Sequence, residues 1–119
     1  VSVDGVACKD GGITFVKATA TQITSQTTDV TCDAPAGAIT TFTLSWLAQQ
    51  GGSFTLNNSF ITPTSVVLTD VKYNGIYITD GIPLLYVGAP GSGTILITIL
   101  NAHAVNALNG TALINFIVT

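Results

Sequence analysis

Apolar and polar positions alternate along most of this chain in short runs rich in Thr, Val and Ile, broken by clusters of Gly, Pro, Asn and Asp. That is a strand-and-turn pattern. The clearest run is 38–46, where Ala38, Thr40, Phe42, Leu44 and Trp46 fall on one face and Ile39, Thr41, Thr43 and Ser45 on the other. A period of two predicts that the aromatic-bearing face turns to a core. Further strands are predicted near 13–21, 29–32, 53–57, 64–71, 76–79, 84–87, 93–101 and 111–118. Turn signals separate them: Gly51-Gly52, Asn74-Gly75, Asp80-Gly81, Gly88-Ala89-Pro90-Gly91 and Asn109-Gly110. No stretch repeats apolar residues at helical spacing over about ten positions. Eight or nine short strands predict an all-β single domain, an antiparallel β-sandwich of jelly-roll-like form. Residues 1–27 read as an N-terminal strand or arm that can reach a neighbouring subunit, and 28–119 as the core of the sandwich.

The two closing runs depart from simple alternation. Both faces of 94–100 and of 112–118 are largely apolar. An antiparallel sheet normally shows water one face, so a strand apolar on both sides needs a cover on its second side. That cover is a loop of the same chain or a neighbouring subunit, since large exposed apolar patches usually mark interfaces. Ile95, Ile97, Ile99, Leu113, Phe116 and Val118 are the candidate subunit-interface residues.

Composition sharpens this picture. The chain has 119 residues, is 47% hydrophobic and only 8% charged, and carries three Lys, six Asp and no Arg or Glu, for a net charge of -3. An ordinary soluble domain is about 25% charged. Nineteen threonines, with Ser, Asn and Gln, supply most of the polar surface. Without clustered basic side chains the chain is not expected to track nucleic-acid phosphates or an anionic membrane surface. Its longest apolar runs fall far short of the about 20 residues that span a bilayer as a helix. Val1-Ser2-Val3-Asp4 lacks the layout of a signal peptide, which fits a chain without its initiator Met or one already cleaved.

Candidate chemistry is sparse. His103 is the one histidine, and no segment resembles a nucleophile elbow; the expectation is a loop residue bonded to a backbone carbonyl, and no enzyme. Six scattered aspartates without an Asp-x-Asp-x-Asp loop predict turn caps, not a calcium site. One His and two separated Cys give no zinc spacing, and no cofactor is expected. Cys8 and Cys32 form either one disulfide or two free thiols. Tyr73 and Tyr77 bracket Asn74-Gly75 and are the candidate platform for stacking a glycan, whereas Trp46 shares a face with Phe42 and Leu44 and reads as core. Asn57-Asn58-Ser59 and Asn109-Gly110-Thr111 match the N-glycosylation pattern, which matters only in a eukaryotic secretory pathway.

Three segments carry a family resemblance. They are Ala34-Pro35-Ala36-Gly37-Ala38-Ile39-Thr40-Thr41 with the following Gly51-Gly52-Ser53-Phe54-Thr55-Leu56-Asn57-Asn58-Ser59; Ile61-Thr62-Pro63-Thr64-Ser65-Val66-Val67-Leu68; and Gly93-Thr94-Ile95-Leu96-Ile97 with the closing Ala107-Leu108-Asn109-Gly110-Thr111-Ala112-Leu113-Ile114-Asn115-Phe116-Ile117-Val118. In this order, over about residues 28–118, they resemble small all-β virion proteins of tailed bacteriophages: capsid decoration (cement) proteins, head fibres and related appendage domains. The resemblance implies a non-enzymatic structural protein, often a homotrimer, that binds a major capsid protein or another virion protein. It implies a place on the capsid exterior after assembly in the host cytoplasm. The alternative it leaves is an adhesive or carbohydrate-binding appendage domain of a phage or bacterial surface.

Overall fold

The computed structural model describes residues 17–119 in full and, before them, only the backbone of three strands: β1 (Ser2–Val3), β2 (Val6–Lys9) and β3 (Gly12–Phe15), paired antiparallel in the order β1-β2-β3. Eight strands follow: β4 (Ala18–Thr21), β5 (Val30–Thr31), β6 (Ala36–Thr40), β7 (Gly51–Asn57), β8 (Val67–Tyr73), β9 (Pro83–Val87), β10 (Thr94–Asn101) and β11 (Ala112–Val118). Among the described residues there is no helix. The eight strands make two four-stranded sheets, ordered β5-β7-β10-β9 and β4-β6-β11-β8.

Both sheets are mixed, where the sequence predicts purely antiparallel ones. β4 pairs parallel with β6, and β5 parallel with β7. The cause is connectivity: the chain passes from β4 to β5 in the other sheet and then back to β6. Two crossings bring β6 in with the direction of β4. β4 also lies inside the 1–27 segment read as an arm, yet it pairs within a core sheet.

One hydrophobic cluster draws on both sheets. Phe54, Leu56, Ile95, Ile97 and Ile99 come from one, and Ile39, Val67, Ala112, Ile114 and Phe116 from the other, with Leu44, Ile61 and Leu108 closing it from the connections. Full burial of such a side chain stabilises by roughly 1.5–3 kcal/mol. Gly37 faces this cluster opposite Phe116; a Cβ there would stand 2.5 Å from the Phe116 ring, so the aromatic occupies the space a side chain would need.

The strand predicted over 38–46 is shorter than its alternation suggests. The β6 ladder stops at Thr40, the chain bends around Phe42, and Leu44 makes only a bridge to Gly110. Ile39 points into the core, while Phe42 is exposed. Ile39 and Leu44 are five residues apart and both inward, so the bend shifts the alternation by one. Buried Thr41 fixes it by bonding both main-chain groups of Ala112: its N–H donates to the carbonyl at 2.9 Å, and its Oγ1 accepts the N–H at 2.9 Å.

Candidate functional site

Three long connections, 41–50, 74–82 and 102–111, lie at one end of the two sheets, because antiparallel pairing sets the C-terminal ends of β6, β8 and β10 beside the N-terminal ends of β7, β9 and β11. Main-chain bonds knit them together. Gly81 N–H donates to Ala107 O, Ala102 N–H to Ile82 O, Leu108 N–H to Trp46 O, and Asn74 N–H to Thr111 O.

Asn101, the last residue of β10, is the hub. It is wholly buried. Its Nδ2 donates to Trp46 O at 3.1 Å and Asn106 O at 2.8 Å, while its Oδ1 accepts Ile82 N–H at 3.1 Å and His103 N–H at 3.0 Å. Both donors and both lone pairs are therefore used. Gly81 packs on this amide so closely that a Cβ would collide with it.

A second network holds the 74–82 loop. The Asp80 carboxylate is shielded from solvent and accepts Tyr73 O–H at 2.6 Å, Ile76 N–H at 3.0 Å and the Thr79 hydroxyl at 3.2 Å. The Tyr73 hydrogen bond above all holds this carboxyl below the ordinary range, with the Ile76 and Thr79 donors adding to it against the effect of burial. Burial, then the Asp80 bond, pushes the Tyr73 phenol up. Tyr73 Oη also accepts Asn109 N–H at 2.8 Å, tying two loops.

These polar struts display apolar tips. Ile76, Tyr77, Ile78, Ile82, Val105 and Leu47 are all exposed at this end, Tyr77 to 81%. The only ionisable side chains in the three loops besides the tyrosine are Asp80 and His103. His103 Nδ1 accepts the N–H groups of Val105 at 3.0 Å and Asn106 at 2.9 Å. It is thus a loop residue, as expected, but it accepts from backbone N–H groups where a carbonyl partner was expected. That geometry assigns the neutral ring's proton to Nε2.

A second surface, of leucines, one tyrosine and hydroxyl side chains, lies on the outward face of β7, β10 and β9. The register aligns Leu84 with Leu100, Tyr86 with Thr98 and Ser53, and Leu96 with Thr55. Ser53 and Thr98 share a hydroxyl bond of 2.7 Å. Leu84, Tyr86 and Leu96 are exposed, Leu96 to 47%; the rows on β9 and β10 carry no charged side chain, and the Leu96–Thr55 row ends at the exposed Asp29, whose carboxylate accepts Thr55 N–H at 2.9 Å.

The candidate interface residues are divided by the fold. Ile95, Ile97, Ile99 and Phe116 are spent on the chain's own core, and only Leu113 and Val118 remain half-buried. The outward side of β10 carries Leu96 and Leu100 instead, residues that apolar content alone could not tell from the isoleucines. Of the tyrosine pair, Tyr77 presents its ring, but Tyr73 packs against the core with its hydroxyl bonded on both sides, so the two form no joint platform. Trp46 packs against the core, as its face predicted, lying over Gly52. Cys32 is a buried thiol, pushed up by burial first and by Asp33 second; of Cys8 only the backbone, in β2, is described, so the pairing of the two lies outside the described side chains. Among the described residues no group of three His, Cys, Asp or Glu stands together for a metal ion. Asn101 and Asp80 organise this end, and neither role is visible in the sequence, where Asp80-Gly81 reads as a capped turn.

Comparison with family models, with curated proteins and with solved structures finds no match to this chain.

Proposed function

We propose that the chain is a non-enzymatic structural protein of a bacteriophage virion, a jelly-roll-like β-sandwich that decorates and cements the capsid as an oligomer, a homotrimer by its resemblance. The observation that carries this reading is the uncharged apolar face of Leu84, Tyr86, Leu96 and Leu100 on β9 and β10. Exposed leucine and tyrosine side chains gathered on one face mark association sites, and charged residues are depleted from interface cores. The loop end, equally poor in charge, is a second contact surface suited to a lattice neighbour. The reading rests otherwise on the three-segment sequence resemblance.

Light-scattering mass in solution, followed by binding to empty phage heads, tests it. A defined oligomer that binds heads is the expected result. A chain that stays monomeric at high concentration and ignores heads refutes it. The appendage reading draws on one observation, the exposed Tyr77 ring on a rigid loop. A specific glycan-array hit abolished by Tyr77→Ala would favour it over the cement role.

A further inference from the structure

Three Asx-Gly pairs lie in two loops of the loop end: Asn74-Gly75, Asp80-Gly81 and Asn109-Gly110. Each sets a side-chain carbonyl carbon beside the main-chain nitrogen of a residue without a Cβ, where the backbone turns freely and nothing shields the nitrogen. Their sequence chemistry is alike, and the fold separates them. Gly81 N–H donates to Ala107 O at 2.8 Å. Gly110 N–H donates to Leu44 O at 3.4 Å, in a bridge closed by Leu44 N–H on Gly110 O at 2.8 Å. Asp80 is also held as a carboxylate by its three donors, which makes its carbon a poor electrophile. Gly75 N–H, by contrast, donates to no described residue. Asn74 is exposed; its N–H donates to Thr111 O at 2.9 Å, and its Nδ2 to Thr111 Oγ1 at 3.2 Å in a surface bond that water can replace. Asn109 is exposed too. Exposure therefore does not distinguish the two asparagines, and the state of the following N–H does.

We propose that Asn74 is a site of self-modification, converting in the folded protein to an aspartyl or isoaspartyl residue while the bridge at Gly110 holds Asn109 back. Gly75 N gives its proton to hydroxide or water and bonds to Cγ of Asn74. The Cγ–Nδ2 bond breaks, and the nitrogen takes a proton from solvent and leaves as ammonia. A succinimide ring then joins the two residues. Water adds to one of its carbonyls and reopens it, at Cγ to give the aspartyl form and at the main-chain carbon to give the isoaspartyl form. Water is the one co-reactant, and nothing is oxidised or reduced. The product changes this end in two ways. It adds a carboxylate to loops whose other ionisable side chains, tyrosine aside, are Asp80 and His103. The isoaspartyl form also lengthens the main chain by one carbon where there is no slack: a Cβ on Gly75 would collide with the Tyr73 ring, and one on Gly110 would stand 2.9 Å from Gly75 Cα. Tyr73 ties Asp80 to Asn109, so the strain falls on the bonds that join the two loops.

The test is incubation of the purified full chain at mildly alkaline pH, read by intact mass, peptide mapping and enzymatic methylation of isoaspartate. The expected result is an amide-to-acid mass gain that maps to the Asn74 peptide, with isoaspartate at that position. Asn109 should lag about tenfold, the factor set by a hydrogen bond of about 1.4 kcal/mol that must open first. In guanidinium chloride the two sites should react at similar rates, since each is then an Asn-Gly pair in an open chain. Asn74→Gln should remove the fast phase. Conversion of Asn109 as fast as Asn74 in the folded protein overturns the proposal. So does a folded chain whose Asn74 stays intact while the denatured chain reacts, or a fast phase that survives Asn74→Gln. A tenfold gap that persists in guanidinium chloride overturns the role given to the fold.

Discussion

Replacing Asn101 with Leu removes the hub of the loop end while keeping the branched, four-heavy-atom skeleton of its side chain, with two bulkier methyls in place of the amide oxygen and nitrogen. Four hydrogen bonds are lost, to the carbonyls of Trp46 and Asn106 and from the N–H groups of Ile82 and His103, although Trp46 O keeps the Leu108 N–H. A typical hydrogen bond contributes about 0.5–1.5 kcal/mol net, so four sum to about 2–6 kcal/mol. The partners sit in loops near solvent, and water recovers part of this, leaving about 2–4 kcal/mol. For a chain of this size each kcal/mol shifts Tm by about 3–5 °C, so a fall of roughly 6–20 °C is expected. Urea unfolding followed by the fluorescence of Trp46, the one tryptophan, measures the loss directly. The midpoint should drop with an unchanged slope, the mark of lost stability without a change in the exposed area. Asn101→Asp sharpens the test, because it keeps the acceptor but turns an oxygen toward two carbonyls. It should be at least as damaging as Leu. If Asn101→Leu lies within about 0.5 kcal/mol of the parent, as a neutral surface change would, the loops close without the hub and the reasoning fails.

Leu96→Lys places a charge on the outward face of β10 and should reduce the light-scattering mass to that of one chain, with monomer stability moved by no more than about 0.5 kcal/mol; an unchanged oligomer would move the interface elsewhere. Asp80 titrates lower in the folded chain than in the unfolded one, so its contribution is present above about pH 4 and is lost as pH falls through its folded value. Asp80→Asn should therefore flatten the acid limb of stability against pH, leaving the smaller slope from Asp33, which Ser59 lowers in the same way; an acid limb identical to wild type would contradict this. Gly37→Ala forces a methyl against the Phe116 ring and should cost about 1–3 kcal/mol in denaturant titration. Ile114→Ala, in the middle of the core, should cost about 2–5 kcal/mol by the same assay.

The closing strands were the most legible part of the chain. Their predicted bounds, 93–101 and 111–118, nearly coincide with β10 and β11, because uninterrupted β-branched runs between turn residues leave no competing element. Orientation was another matter. A strand apolar on both faces does not say which face turns inward, and Ile95, Ile97 and Ile99 became core while Leu96 and Leu100 stayed outside. At 38–46 the alternation was real, but a bend at Phe42 reversed its phase, and the main-chain bonds of Thr41 that set the bend involve a residue far along the chain. The parallel pairs β4–β6 and β5–β7 likewise depend on which sheet the chain enters, a long-range choice that no local pattern encodes. Asn101 and Asp80 escaped notice because a buried polar hub and a turn former share the same residue types. The signal available was a polar Asn101 ending an apolar strand, five residues before Asn106, whose carbonyl its amide binds.

Every partner of the Asn101 side chain is a main-chain atom. The hub therefore reads the path of the three loops and is blind to their side chains. Substitutions at Leu47, Ile76, Tyr77, Ile78 or Val105 can change the surface of the loop end without dismantling the frame that presents it. That separation of frame from surface makes this end a natural place to graft randomised sequence, with Asn101 and Gly81 held fixed.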